Sequence, residues 1–423
     1  MAPHPTATHL LRAQEVIARC KTLARFTEDP PRICRTFLSA PMRDCYLQVE
    51  HWMGSLGLEV HTDAAGNLRG VYPGVEGTAR RIILGSHLDT VPDAGAYDGI
   101  LGVVLALGLV TSLEGRRLPF AIEIVGFSEE EGVRFGVPFI GSRALVGRLD
   151  EGLLKRCDAN GISVREAISA FGLDLAAIPD TALNDGVLGY VEFHIEQGPV
   201  LENRGFPLGL VEAIAGQTRM ELFFTGAANH AGTTPMSLRH DALVAAAEWA
   251  VAVEKEAQET AGLVATVGVL EAKPGAINII AGQCRATLDV RHGSDAQRKL
   301  SVKNILHRAQ EIAERRRVTL TSTTTLVQAA TSMDAFLTHE IETAVSRSGI
   351  TPHTMVSGAG HDAMILAEKV PAAMIFLRSP GGISHNPKES VLVEDVAKAL
   401  ECGLHLLDQL ATSSEFLTRT RRA

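Results

Sequence analysis

The sequence predicts an α/β protein with a large, mostly parallel-sheet domain and a smaller inserted domain of β-α-β-β-α-β order. Three observations predict it. The 423 residues exceed what one hydrophobic core usually fills, so two domains are expected. In the first half, short β-branched apolar runs alternate with helix-like stretches, the pattern of strands joined by crossover helices. From about residue 213 that rhythm changes, and it returns after about residue 328. The expected boundaries are therefore 1–212 and 328–423 for the large domain and 213–327 for the insert.

The elements follow in order. Near the N-terminus Arg12, Glu15, Arg19 and Lys21 interrupt the apolar residues, which fits an amphipathic helix and argues against a signal peptide. Arg81-Ile82-Ile83-Leu84 reads as a buried strand stopping at Gly85-Ser86, so His87 and Asp89 should emerge into a loop. Gly99 to Val110 reads as a buried helix that starts just after Asp98. Phe120 to Phe127 is a second strand, ending before Glu129, Glu130 and Glu131; three adjacent acids there repel one another unless cations hold them. Tyr190 to Phe193 is a third strand running into His194. The insert reads as strand Arg219–Thr225, helix Asp241–Gln258, strands Leu263–Leu270 and Ile279–Val290, helix Ala296–Arg315 and strand Val318–Thr325, a split ferredoxin-like unit. Its first helix carries Leu243, Ala246, Ala247, Ala250 and Val251 on one face, so it can cover a sheet on one side. A fourth strand of the large domain, Pro371–Leu377, precedes a Gly-rich loop with His385.

Composition narrows the function classes. Forty basic against 49 acidic residues give a net charge of -9, which argues against nucleic acid or an anionic membrane as partner. An anionic substrate then needs a local basic anchor. The most apolar interior runs, Val103–Val110 and Ala242–Val253, fall short of the roughly 20 residues that span a bilayer. The six cysteines show no short paired spacing, so neither a zinc knuckle nor a redox pair is indicated, and isolated thiols fit a reducing cytoplasm.

Four strand ends thus offer histidine and carboxylate to one sheet edge, where α/β proteins build their sites. Two divalent ions need about six protein ligand atoms, commonly with one shared carboxylate. The expected arrangement has Asp98 bridging, His87 and His194 completing one ion, and Glu131 and His385 the other. Asp89 would hydrogen-bond the second nitrogen of His87 and fix its tautomer. Glu130, beside a ligand but not needed as one, is placed to act as general base on a water between the metals. Each signal is weak alone: His-X-Asp is commonly a loop, Asp-Gly a turn or cap, and three glutamates a solvated patch. Their conjunction carries the inference.

With those residues in view, the chain resembles the co-catalytic metallohydrolases related to aminoacylase and carboxypeptidase, and within them the hydantoinase/carbamoylase-type amidases. The resemblance rests on Gly85 to Pro92, Tyr97-Asp98-Gly99, Glu130 to Phe135, His194 to Pro199, Asn229 to Met236, Gly358 to Ala363 and Ser384 to Pro387. It implies cleavage of the ureido group of an N-carbamoyl-L-amino acid, or of a related ureido acid such as allantoate, with release of ammonia and carbon dioxide. It implies two divalent ions per chain, zinc or manganese, with nickel or cobalt also compatible with these ligands. It further implies that the insert is a lid and homodimerisation module. On it, Arg291 resembles the clamp for the substrate carboxylate, Asn278 a second contact to that end, and His230 the residue that polarises the scissile carbonyl, often from the partner subunit. In the large domain, Gln197 corresponds to a ureido contact, Gly360 to close backbone approach and His361 to a polar contact. Plainer readings stand beside these: Arg291 in an ion pair, Asn278 in a turn, His361-Asp362 at a helix cap.

Two other readings compete. A metallo-aminopeptidase or aminoacylase of the same fold usually has an acid where this chain has His194, and Gln197 also counts against it. A non-catalytic sensor of ureido acids is disfavoured by the presence of Glu130.

Overall fold

Four strands of the larger unit are buried on both faces, and this places them at the centre of a sheet covered on each side by helices. The computed structural model describes residues 6–75 and 78–419. Its strands, in chain order, are β1 (Glu59–Thr62), β2 (Leu68–Tyr72), β3 (Arg81–His87), β4 (Ala121–Phe127), β5 (Val187–Ile195), β6 (Leu208–Ile214), β7 (Gly216–Thr225), β8 (Val264–Thr266), β9 (Leu270–Lys273), β10 (Gln283–His292), β11 (Thr319–Gln328), β12 (Thr331–Ser332), β13 (Thr354–Ser357) and β14 (Ala372–Leu377). The chain divides into a larger unit, which runs to Glu212 and resumes over Met333–Met355 and from Gly360, and a smaller one of Ala213–Ser332 with Val356–Ala359.

In the larger unit the strand order is β1-β2-β4-β3-β5-β14-β6. The inner four, β4, β3, β5 and β14, are mutually parallel, and antiparallel strands flank them. Every residue of β4, β5 and β14 is buried. The helix Ile100–Ser112 is equally enclosed, buried from Ile100 to Val110. It lies close to the sheet because Gly102 has no side chain: a Cβ there would come within 2.2 Å of the Phe193 carbonyl oxygen. Parallel strands end on the same edge, so the segments that follow β3, β4, β5 and β14 all emerge there.

The smaller unit has the order β11-β7-β10-β8, with β9 also on β10, all antiparallel. Its strands alternate. Met220, Leu222, Phe224, Cys284, Ala286, Leu288 and Val290 form a core with Trp249, Ile305 and Ile312 from the helices Ala242–Glu259 and Asp295–Arg316. The Trp249 indole donates to the Ile305 carbonyl at 3.2 Å, so its one polar atom is satisfied inside that core; truncation to Ala would cost about 3–5 kcal/mol. The opposite face carries Arg219, Glu221, Arg285, Asp289 and Arg291, paired with one another.

Two expected strands differ. Leu263–Leu270 is interrupted, because the Thr287 hydroxyl accepts the Val269 N–H at 3.0 Å and takes the place of a ladder bond between β8 and β9. The strand expected from Ile279 starts at Gln283; Ile279 instead makes an isolated bridge with His230.

Candidate metal centre

Each sheet-edge residue is delivered by a local feature of the chain. His87 is the last residue of β3, three residues further along the strand than expected. In β5, Tyr190, Glu192 and His194 share a face by the two-residue period. Asp98 precedes the helix Ile100–Ser112 through Gly99, whose φ is 70° and whose Cβ would lie 2.4 Å from the His87 ring. Only glycine satisfies both demands. Glu130 and Glu131 follow β4 in a tight turn, and His385 sits half-exposed in the loop after β14 at φ 52°.

Asp98 is the centre of the cluster. Its Oδ1 lies 3.2 Å from His194 Nε2 and 3.7 Å from His87 Nε2, while its Oδ2 lies 3.2 Å from His385 Nε2. His385 Nε2 is also 3.5 Å from Glu131 Oε1. Two ligand groups result, His87–Asp98–His194 and Asp98–Glu131–His385, joined by the one carboxylate. His87 with Glu130 and Glu131 forms a further group.

The donor set fits divalent cations on this structure's own geometry. His87 Nδ1 faces the Asp89 carbonyl at 3.0 Å, and His194 Nδ1 faces the Ile195 carbonyl at 2.9 Å. A carbonyl only accepts, so the hydrogen-bond network assigns the ring proton to Nδ1 and leaves a lone pair on each Nε2. Those two Nε2 atoms stand 3.4 Å apart and both face Asp98 Oδ1, which is buried and receives no hydrogen bond from the described residues. Three such atoms repel unless a positive charge lies among them, either a proton on His194, which against the cost of burial Asp98 raises to about 9, or a metal cation.

Burial, then the neighbouring Glu131, Asp362 and Asp89, push Glu130 well above the usual carboxylate range. Burial lifts Glu131 to about 7, against the pull of His87. Burial would also raise Asp98, but the imidazoles of His194 and His385 beside it hold it well below the usual range. Asp98 in turn raises His385 to about 9.

The turn after β4 differs from expectation in two places. The Asp89 carboxylate stands 3.6 Å from His87 Nδ1, beside the ring but beyond hydrogen-bond reach, and the ring nitrogen faces the Asp89 backbone carbonyl at 3.0 Å. Its oxygens accept the Glu130 and Glu131 N–H groups, both at 3.0 Å, so Asp89 shapes the turn that presents those two acids. Glu129 leaves the acidic triplet altogether. It turns inward at φ 48° and accepts the N–H groups of Phe37, Arg134 and Phe135.

The remaining large-unit residues fall around Asp98. Gln197 Nε2 donates to Asp98 Oδ2 at 2.9 Å and lies 3.4 Å from His385 Nε2. His361 is buried with its ring edge-on to His194 at 4.4 Å, and Glu192, His194 and His361 form one more group able to hold a metal. The space beside Gly360 is taken by Phe139, 2.9 Å from where a Cβ would stand. Two residues escaped the sequence reading. Ser384 donates its hydroxyl to Asp98 Oδ2 at 2.7 Å. Glu389 Oε1 accepts both the Tyr97 and Asp98 N–H groups, at 2.8 and 3.1 Å, and its Oε2 stands 3.3 Å from the Ser384 hydroxyl oxygen. One buried carboxylate therefore ties the Asp98 loop to the His385 loop. Its position four residues after His385 was the only available signal.

On the smaller unit, His230 and Asn278 come together: His230 bridges to Ile279, and the Ala231 N–H donates to the Asn278 carbonyl at 2.9 Å. Both are exposed. Arg291 lines a cavity of about 680 Å³ whose lining includes neither of them.

A histidine–carboxylate cluster sharing one aspartate, at the carboxyl edge of a parallel sheet, defines a class of α/β proteins built to bind divalent metals for hydrolysis. Residues 83–409 match Peptidase family M20/M25/M40, and the chain belongs to that family. It is 40% identical to the N-carbamoyl-L-amino acid amidohydrolase of Geobacillus stearothermophilus, over 90% of this chain and 93% of that protein. It is 37% identical to a probable allantoate deiminase of Oryza sativa subsp. japonica, over 96% of this chain and 90% of that protein. The crystal structure of a hydantoinase/carbamoylase family amidase from Burkholderia multivorans matches with a TM-score of 0.88 at 29% identity, covering 93% of this chain and 97% of that one. Within the family this chain is thus a hydantoinase/carbamoylase-type amidase, a hydrolase of C–N bonds other than peptide bonds, as its motifs implied.

Proposed function

We propose that the protein cleaves the ureido C–N bond of an N-carbamoyl-L-amino acid, or of a related ureido acid such as allantoate, releasing ammonia and carbon dioxide. The observation that carries this reading is the division of Asp98 between two ligand groups, His87 with His194 and Glu131 with His385, in a chain whose relatives act on such compounds. Two divalent ions in those groups, zinc or manganese before nickel or cobalt, would supply Lewis acidity and lower the pKa of a water between them. Glu130 takes the proton of the attacking water and passes it to the leaving nitrogen. Asp89 holds Glu130 in place through its backbone N–H. Gln197 contacts the ureido group, Gly360 allows close backbone approach to it and His361 offers a polar contact. Arg291 clamps the substrate carboxylate, Asn278 assists it, and His230 polarises the carbonyl.

The unit Ala213–Ser332 serves in this proposal as lid and homodimer interface. The apolar side chains it exposes support that: Met236 is 77% exposed, Leu238 64%, Val251 66% and Ile277 103%. Light scattering on the purified protein is expected to give twice the chain mass. Six free thiols support a cytoplasmic location, and among the described residues no helix is long and apolar enough to cross a membrane.

The test is ammonia release from allantoate, N-carbamoyl-L-amino acids and N-carbamoyl-β-alanine after loading with manganese or zinc, beside a chelated control. Metal-dependent ammonia from one of them is expected. Cleavage of acyl-amino acids or dipeptides with no ammonia from any ureido acid would replace this reading with the aminoacylase or aminopeptidase one.

A further inference from the structure

The cavity on the smaller unit is walled by Arg219, Thr287, Asp289 and Arg291, with Val264 and Val356 beside them. Asp289 and Arg291 are two residues apart on β10 and so share the face turned away from the helices. Arg219 on β7 stands directly across from Asp289 in the ladder. That register produces a defined network. Arg291 Nε and Nη2 donate to the two oxygens of Asp289, each at 3.0 Å, and Arg291 Nη1 donates to the Gly358 carbonyl at 2.7 Å. Arg219 Nε donates to Asp289 Oδ2 at 2.9 Å.

A guanidinium has five N–H groups. Three of those of Arg291 are engaged by described residues, all on its Nε–Nη2 edge or at Nη1, which leaves one N–H on each terminal nitrogen. Two free donors on adjacent nitrogens are what a carboxylate needs for a bidentate bond. The pocket also keeps a charge for it. At Asp289 two guanidinium groups meet one carboxylate, while Glu221 and Glu271 share Arg285 further along the face.

We propose that Asp289 is the positioning residue for the substrate-carboxylate clamp. It holds one edge of Arg291 so that the other edge is presented to a single carboxylate group, and Arg219 holds Asp289. This rests on the assignment of Arg291 as the clamp. An arginine free on a flexible stem would lose rotamer freedom on each binding event, and the Asp289 pair removes that cost in advance. The ligand class that follows is a ureido acid with one carboxylate at this end.

The experiment compares Asp289→Asn, Arg219→Gln and Arg291→Gln in the metal-loaded enzyme. It uses whichever of allantoate, N-carbamoyl-L-alanine or N-carbamoyl-β-alanine is turned over fastest, alongside that compound's carboxamide, which lacks the charge. Asp289→Asn is expected to raise KM for the acid about tenfold with kcat changed by less than about twofold, and to leave the carboxamide's KM unchanged. Arg219→Gln should raise it about two- to threefold, and it decides the matter if Asp289→Asn does not fold. A fall in KM in Asp289→Asn would overturn the proposal by showing that Asp289 competes with substrate for Arg291. An unchanged KM in Asp289→Asn with a raised one in Arg291→Gln overturns it while the clamp assignment stands. Unchanged KM in all three variants removes the clamp assignment as well.

Discussion

The cluster around Asp98 and the network around Asp289 handle charge in opposite ways. Burial pushes both Glu131 and Asp289 toward the neutral form, yet Glu131 rises to about 7 whereas Asp289 falls below the ordinary carboxylate range. The difference lies in the neighbours. Asp289 faces two guanidinium groups that are always charged, while Glu131 shares its surroundings with Asp98, Asp89 and histidines that carry a proton only by circumstance. The first network supplies its own positive charge as folded. The second is short of positive charge, and that shortage is what a divalent cation answers.

This contrast can be broken most severely at Asp98. Asp98→Asn should abolish ammonia release and lower the metal retained after dialysis, read by elemental analysis, because one substitution weakens both ligand groups. Full metal content in that variant would remove Asp98 as the shared ligand. Glu130→Gln separates chemistry from binding: kcat should drop about 10²- to 10⁴-fold with metal content unchanged. A matching loss of metal would make Glu130 a ligand instead. Glu389→Gln tests whether the tie between the two loops matters for the cations. Metal affinity, measured by competition with a chromogenic chelator, is expected to weaken about 10- to 100-fold with little change in folding by circular dichroism. An unaltered affinity would reduce Glu389 to a packing role. The smallest effect belongs to the self-sufficient network. Arg291→Lys should leave metal content and melting temperature alone and raise KM about tenfold, since a point charge replaces a two-point fork.

Some of this was legible before the fold was known. The apolar runs at 82–84 and 372–377, and 122–127 with Glu123 as its one charged residue, place strands because they are short, aliphatic and rich in β-branched residues, the pattern of a doubly covered sheet. His87, Asp98, Glu131, His194 and His385 announce themselves as ligand types next to those runs. Arg291 could be named from its motif, but not its pairing with Asp289, since a two-residue spacing says only that the side chains share a face.

By itself, then, the sequence determined the α/β class, the family and the chemical kinds of residue gathered at the sheet edge, because periodicity and motif are local properties of the chain. Only the tertiary structure decided which atom each of them meets. Asp89 spends its hydrogen bonds on the N–H groups of Glu130 and Glu131 while standing beside His87, Glu129 turns inward to the N–H of Phe37, and Glu389 reaches across 291 residues of sequence to the Asp98 backbone. The physical reason is common to all three. A buried carboxylate must find donors wherever the fold brings them, and the fold brings them from segments whose distance along the chain carries no trace of their distance in space.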